Sequence, residues 1–247
     1  MSVNTIANPN LKTNGNYTGK GYQVAQNPAT LEEIGRVANT DLTKMPEIFK
    51  KARDAQKQWA QTKFTIRKKH VLKMRDYIVD HAEELAEIVS KDNGKSRMDA
   101  LATEVLPAAL AADWYAKNAR HHLQPKKLPM STFLFFNKKN ELHRVPLGVV
   151  GIISPWNYPL SIPFGEITMG LMAGNAILLK VAQATILVGQ AIERIVAAGE
   201  LPEGLFYHIV GSGGSVSKGF FENRVDKIFF TGSVATGKTL IPLRFPR

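Results

Sequence analysis

The chain of 247 residues contains no cysteine. That removes disulfides, thiolate metal sites and a cysteine nucleophile from its own chemistry. No apolar run approaches the roughly 18 residues of a membrane-spanning helix. The opening M-S-V-N-T-I-A-N-P-N lacks the apolar core of a signal peptide. A cytoplasmic protein without a membrane partner is the expectation. Acidic residues are scarce, 21 against 32 Lys and Arg, for a formal charge of +11. Such an excess raises nucleic acid or an anionic surface as a partner. The positive charges are scattered, however. Lys63, Arg67, Lys68, Lys69, Lys73 and Arg75 spread along one predicted helix among apolar residues, and Lys117, Arg120, Lys126 and Lys127 fall in a helix end and a loop. No aromatic-plus-basic motif accompanies them, so nucleic acid is not expected. The histidines at 70, 81, 121, 122, 143 and 208 show no metal spacing, and His121-His122 reads as a solvated helix end. No metal is expected.

What is present is 44% apolar residues, enough for a sizeable core. Residues 1–22 are rich in Asn, Gly and Thr and read as a loose arm. Gln23 to Val37, with Asn27-Pro28-Ala29-Thr30 as its turn, suggests a hairpin. Asp41 caps a helix to about Gln61, with Ile48, Ala52, Ala55 and Trp59 on one stripe. Thr65 opens a second helical region that Asp92-Asn93-Gly94 stops. Ser96 and Asp99 resemble a capping box for a third helix, kinked at Pro107, in which Trp114 and Tyr115 read as core. Pro125, Lys126, Lys127 and Pro129 make a linker. Ser131 to Phe136 and Glu141 to Val145 then flank a turn as a hairpin, made apolar by Phe133, Phe135 and Phe136. A two-stranded ribbon cannot hide those rings alone.

From Gly148 onward strand and helix alternate. Strands are expected at 149–153, 176–180, 206–210 and 227–231, and helices at 162–173, 185–198, 215–221 and from 233. That pattern predicts an α/β fold: a parallel, Rossmann-like sheet flanked by helices, with right-handed crossovers and a protruding hairpin. Pro242 and Pro246 predict a short last helix. In such a sheet the ligand edge is the carboxyl end of the strands. Asn157 and Lys180 follow two of those strand ends. An amide there can donate to a developing oxyanion, or can merely fix a turn. A strand-end amine suits an anion or hydroxyl, or can be a solvated charge.

Three separated motifs carry a resemblance to the aldehyde dehydrogenase superfamily: Pro155-Trp156-Asn157-Tyr158-Pro159, then Ala173-Gly174-Asn175 with Lys180, then Phe230-Thr231-Gly232-Ser233 with Gly237. The likeness runs from about residue 25 to 240 and covers the first half of a usual member. It implies that Asn157 is the oxyanion-stabilising Asn. It implies cofactor contacts at Ile153, Trp156, Lys180, Gln183, Gly211, Gly232, Ser233, Thr236 and Gly237. Lys180 would contact the adenosine ribose. Where many members carry Glu this chain has Gln183, which repels a 2′-phosphate less, so NAD and NADP both stay open.

The resemblance divides the chain into an arm (1–22), the helical part of a cofactor-binding domain (23–123), a linker with an oligomerisation-type hairpin (124–146) and an incomplete Rossmann-like part (147–247). The parent activity would be oxidation of a small aldehyde to a carboxylic acid with NAD(P), in a homo-oligomer. That chemistry runs through a covalent thiohemiacetal and needs a cysteine thiolate and a carboxylate base. The family places both beyond the glycine pair. The chain therefore reads as a truncated, inactive cofactor-binding half, or as a non-catalytic dinucleotide-binding or subunit-interaction remnant.

Two glycine patterns need separating. Gly211-Ser212-Gly213-Gly214-Ser215 reads as a flexible turn and does not fit G-x-G-x-x-G, because residue 216 is Val. Gly232 to Thr239 spell G-S-V-A-T-G-K-T, a match to the P-loop pattern. A P-loop also needs a substantial following helix and a later strand with a Mg²⁺-binding Asp. The dehydrogenase reading of the same residues takes the pyrophosphate on backbone N–H groups at a helix start, with Ser233 as hydroxyl donor.

Overall fold

The computed structural model describes residues 21–129 and 137–244, with side chains through Ile241. The expected arm lies almost wholly outside the described residues. So does the Ser131 to Phe136 strand, with Phe133, Phe135 and Phe136.

Four parallel strands form the central sheet: β5 (Val149–Ile153), β6 (Ala176–Lys180), β7 (Phe206–His208) and β8 (Lys227–Phe230), in the order β7-β6-β5-β8. Every residue of β5 and β6 is buried, as β-branched and Leu-rich runs covered on both faces should be. Alternation sorts their side chains. Val150, Ile152, Ile177 and Leu179 enter one core with α6 (Ser161–Met172) and α7 (Ile186–Ala198). Val149, Ile153, Ala176 and Leu178 enter the other with α1 (Met45–Ala60) and α8 (Gly213–Glu222). Gly151 has no side chain to offer because Phe220 of α8 fills that space. A Cβ there would lie 2.8 Å from its ring.

Outside α6 and α7 lies a further layer of α2 (Phe64–Asp80), α3 (Ala82–Asn93) and α5 (Leu106–Leu123). The second helical region is thus two helices, broken at His81. Gly94, in the left-handed conformation at φ 86°, ends α3 as expected. Ser96 caps the short α4 (Arg97–Ala100) by accepting from Asp99 N at 3.1 Å. The expected kink at Pro107 takes the form of a π-helical segment, Leu101–Val105, in which Leu106 N donates to Leu101 O. Proline has no N–H for the α-helical ladder, so the chain widens just before it.

Two buried polar side chains tie the layers. Arg67, 5% exposed, donates to Met172 O, Trp59 O and Ala60 O, closing the ends of α6 and α1 together. It is therefore not one of the solvated charges of its helix, and burial lowers its pKa. Asn175 accepts from Leu147 N and Gly148 N and donates to Gly170 O, fixing the entry to β5 and the exit of α6.

The antiparallel hairpin β1 (Tyr22–Gln26) and β2 (Glu33–Ala38) forms as expected. A separate exposed ribbon pairs β3 (Lys126–Leu128) with β4 (Asn140–Leu142). The expected linker at 125–129 therefore contains a strand, and the Glu141 to Val145 strand is shorter. Trp114 is 50% exposed rather than core. Ala108, Ala112, Ala116 and Ala119 make the buried stripe of α5, which puts residue 114 on the opposite side. Tyr115 does pack against the core. The last helix, α9 (Val234–Arg244), runs past Pro242 and is longer than the prolines suggested. Among the described residues no helix is long and apolar enough to cross a membrane.

Candidate functional site

The strand order creates the site. From β5 the chain moves outward to β6 and β7, with α6 and α7 on one face. It then returns to the other side of β5 through α8 on the opposite face. Right-handed crossovers demand this change of face. The connections after β5 and β8 therefore diverge at the carboxyl ends of the strands, the place where open α/β sheets form a ligand crevice. Backbone bonds align that edge: Ser154 N to Lys180 O at 3.0 Å, Thr231 N to Ile153 O at 3.1 Å and Ile209 N to Leu179 O at 2.7 Å.

Lys180 sits beside Ile153 in the β5–β6 register. It is 8% exposed, and no described residue hydrogen-bonds or pairs with its ammonium. Burial lowers its pKa. An unpaired buried ammonium is costly unless something else solvates it. Gln183 is exposed in the 3₁₀ turn Gln183–Thr185 just beyond β6.

Asn157 is exposed in the loop between β5 and α6, and its side chain meets no hydrogen-bond partner among the described residues. Trp156 is also exposed, while Asn93 Nδ2 donates to its carbonyl at 2.7 Å. Ile153 is 7% exposed and belongs to the core beneath the edge.

The two glycine turns lie at opposite margins. Gly211 follows β7 and Gly232 follows β8, three interstrand spacings apart, or about 14 Å. Ser212 caps α8 by accepting from Ser215 N, so residues 213–215 are the first helical turn and not the flexible turn their composition suggested. No neighbour comes within 4 Å of a Cβ built on Gly213 or Gly214. Ser233 accepts from Thr236 N at 3.1 Å and shares a hydrogen bond with Thr236 Oγ1 at 2.9 Å, capping α9. Gly232 and Gly237 both crowd the ring of Phe230, where added Cβ atoms would come to 2.8 and 3.3 Å, so each also has a packing reason. Residues 234–237 are helical, and the P-loop match therefore forms no phosphate-wrapping loop.

Sequence reasoning missed Glu166 and Glu104. Glu166 projects from α6 toward β8, where Thr231 Oγ1 donates to its Oε1 at 3.4 Å and its buried Oε2 has no partner among the described residues. Burial pushes its pKa up to about 7. Glu104, fully buried in the π segment, pairs with Lys95 and accepts from Leu160 N and Ser161 N at the start of α6. Each is a lone carboxylate in an apolar helix, and that pattern is the signal that could have found them. No group of His, Asp and Glu suited to a metal occurs among the described residues.

Comparison with known proteins matches this arrangement to one family. The model of the aldehyde dehydrogenase family covers residues 17–243. A 4,4'-diapolycopene aldehyde oxidase of Methylomonas sp is 32% identical over 191 residues, 77% of this chain and 36% of that protein. A putative succinate-semialdehyde dehydrogenase [NADP(+)] of Mycolicibacterium smegmatis is 34% identical over 192 residues, 78% and 36% of the two chains. Among solved structures, a NAD-dependent benzaldehyde dehydrogenase from Corynebacterium glutamicum superposes with a TM-score of 0.82 at 27% identity, covering 92% of this chain and 49% of that one. An aldehyde dehydrogenase from Brucella melitensis biovar abortus 2308 gives 0.85 at 25%, covering 92% and 46%. The chain belongs to the aldehyde dehydrogenase family. The matched region spans a little over a third of these curated relatives and just under half of the solved chains.

Proposed function

We propose that this chain forms the adenosine-side cofactor-binding part of an NAD(P)-dependent enzyme that oxidises an aldehyde to a carboxylic acid. The observation that carries the reading is Lys180: a lysine only 8% exposed, held at the carboxyl edge, whose ammonium has no hydrogen-bond or ion-pair partner among the described residues. The ribose hydroxyls of a dinucleotide would give it acceptors. The free N–H groups opening α8 and α9, with Ser212 and Ser233 beside them, suit the anionic part of the same ligand. Gln183, exposed and uncharged, admits either a ribose hydroxyl or a 2′-phosphate, and the relatives' names include both NAD and NADP.

When bound, the nicotinamide supplies the hydride acceptor. The chain's own chemical contribution is Asn157, whose amide is free to donate to an oxyanion at the divergent loop. The thiolate of the family reaction is not supplied by these residues, since none of the 247 is cysteine. Oxidation therefore requires a thiol from outside this sequence. The reading of residues 23–123 and 147–247 as parts of one cofactor-binding unit is supported by the cores they share. The exposed β3–β4 ribbon is our candidate for contact with a second subunit.

Purified chain, incubated with NAD or NADP and a panel of aldehydes, should form no reduced cofactor. The same dinucleotides should raise its melting temperature by mass action. Turnover above a heat-treated control would overturn the first statement, and no thermal shift with either cofactor the second.

A further inference from the structure

We propose that Glu104, Lys95 and Asn93 are positioning residues for Asn157, acting from the outer helical layer. This deepens the proposed function and rests on its reading of Asn157. The loop from Trp156 to Leu160 is held at three points, while the Asn157 side chain has no hydrogen-bond partner among the described residues. At its start, Asn93 Nδ2 donates to Trp156 O at 2.7 Å. At its middle, the Lys95 ammonium lies 4.0 Å from the centroid of the Tyr158 ring. At its end, Glu104 Oε2 accepts from Leu160 N at 3.1 Å and Ser161 N at 2.9 Å. Helix α6 has no N-cap side chain of its own, and Pro163 in its first turn has no N–H to satisfy. A carboxylate borrowed from a distant helix therefore caps it, at the positive end of its dipole.

The clamp is built to keep one shape. Glu104 is 0% exposed, and its other oxygen pairs with Lys95, whose side chain is only 19% exposed. Lys95 is fixed in turn: Ser90 Oγ donates to its carbonyl at 2.7 Å, just after the left-handed Gly94. The π-helical segment carries Glu104, and such segments arise where helix geometry yields to a local demand. A buried ion pair adds little stability by itself, but its geometry is specific and losing one partner is costly. Here the specific geometry fixes where the backbone on both sides of Asn157 lies. The loop can then present an unpartnered amide in one direction without spending that amide on a protein contact.

The test uses the chain itself, isotopically labelled, and measures no turnover, so it stands or falls apart from the catalytic reading. The side-chain amide of Asn157 is identified in the NMR spectrum by its loss in Asn157→Asp. In Lys95→Met and Glu104→Gln that resonance should shift or broaden, and the backbone amides of Tyr158, Leu160 and Ser161 should exchange about tenfold faster or more. Amides of β6 and α7 should hold their wild-type rates. Lys95→Arg should restore the wild-type Asn157 signal. An Asn157 resonance unmoved in both variants would overturn the proposal, as would faster exchange spread evenly over the molecule. If Glu104→Gln does not fold, Lys95→Met alone decides, since its side chain lies nearer the surface.

Discussion

Thr231 Oγ1 donates to Glu166 Oε1 across 3.4 Å, joining the end of β8 to the middle of α6 at the edge where the connections diverge. The other carboxylate oxygen is buried without a partner among the described residues, and burial pushes the pKa up to about 7. The folded chain therefore binds this proton more tightly than the unfolded chain, whose Glu titrates at about 4.3. Its stabilising contribution is complete below that value and is lost as pH rises through about 7. Denaturant unfolding of wild type and Glu166→Gln should show wild type losing ground between pH 5 and pH 8, by about 2 kcal/mol and not more than about 3. A stability difference independent of pH would contradict this.

Strand β8 bonds to β5 on one side only among the described residues, and its Ile228, Phe229 and Phe230 are half-buried where β5 and β6 are fully covered. An unpaired strand edge with apolar side chains recruits other chains. The isolated chain should bind ANS and show a mass that grows with concentration in light scattering. A monodisperse monomer without ANS binding would count against this.

The central sheet was legible because its strands are short apolar runs, each closed by a turn or polar stop, such as Val149 to Ile153 before Ser154-Pro155. All four strands and their following helices occur in the expected order, although β7 ends two residues early, α8 begins two residues early and α9 runs longer than expected. The ribbon was misread because Lys126 and Lys127 look like linker residues, and only pairing across to Asn140–Leu142 makes them a strand. Trp114 was misread because ring size suggests burial, whereas the alanine stripe of α5 decides which side faces inward. At the candidate site, Asn157 and Lys180 were picked out by their places just after strand ends, and their roles are proposals. Glu104 and Glu166 act through contacts 56 and 65 residues away in sequence, to Leu160 and Thr231, and no local pattern encodes such partners.

Asn157 is expected to act only when an acyl centre is present. Fusing residues 1–238 to the carboxyl-terminal part of a relative that supplies the thiolate should give aldehyde oxidation. In that fusion Asn157→Ala should lower turnover by about 10²–10³ while leaving dinucleotide affinity within about twofold, because the donor acts on developing charge. A fusion that folds and turns over equally well with Ala at this position would make the Pro-Trp-Asn loop structural only.

The central claim rests on Lys180, and calorimetry paired with thermal melting tests it most directly. A largely desolvated lysine whose ammonium has no partner among the described residues costs stability that a thioether of similar length would not. Lys180→Met should therefore melt at the same temperature as wild type or higher. Titrated with NAD and NADP, wild type should bind at least one, and Lys180→Met should bind it at least about tenfold more weakly, the loss of one charge-assisted hydrogen bond. Equal affinity in the two proteins would contradict the account and leave Lys180 without a role in holding the cofactor.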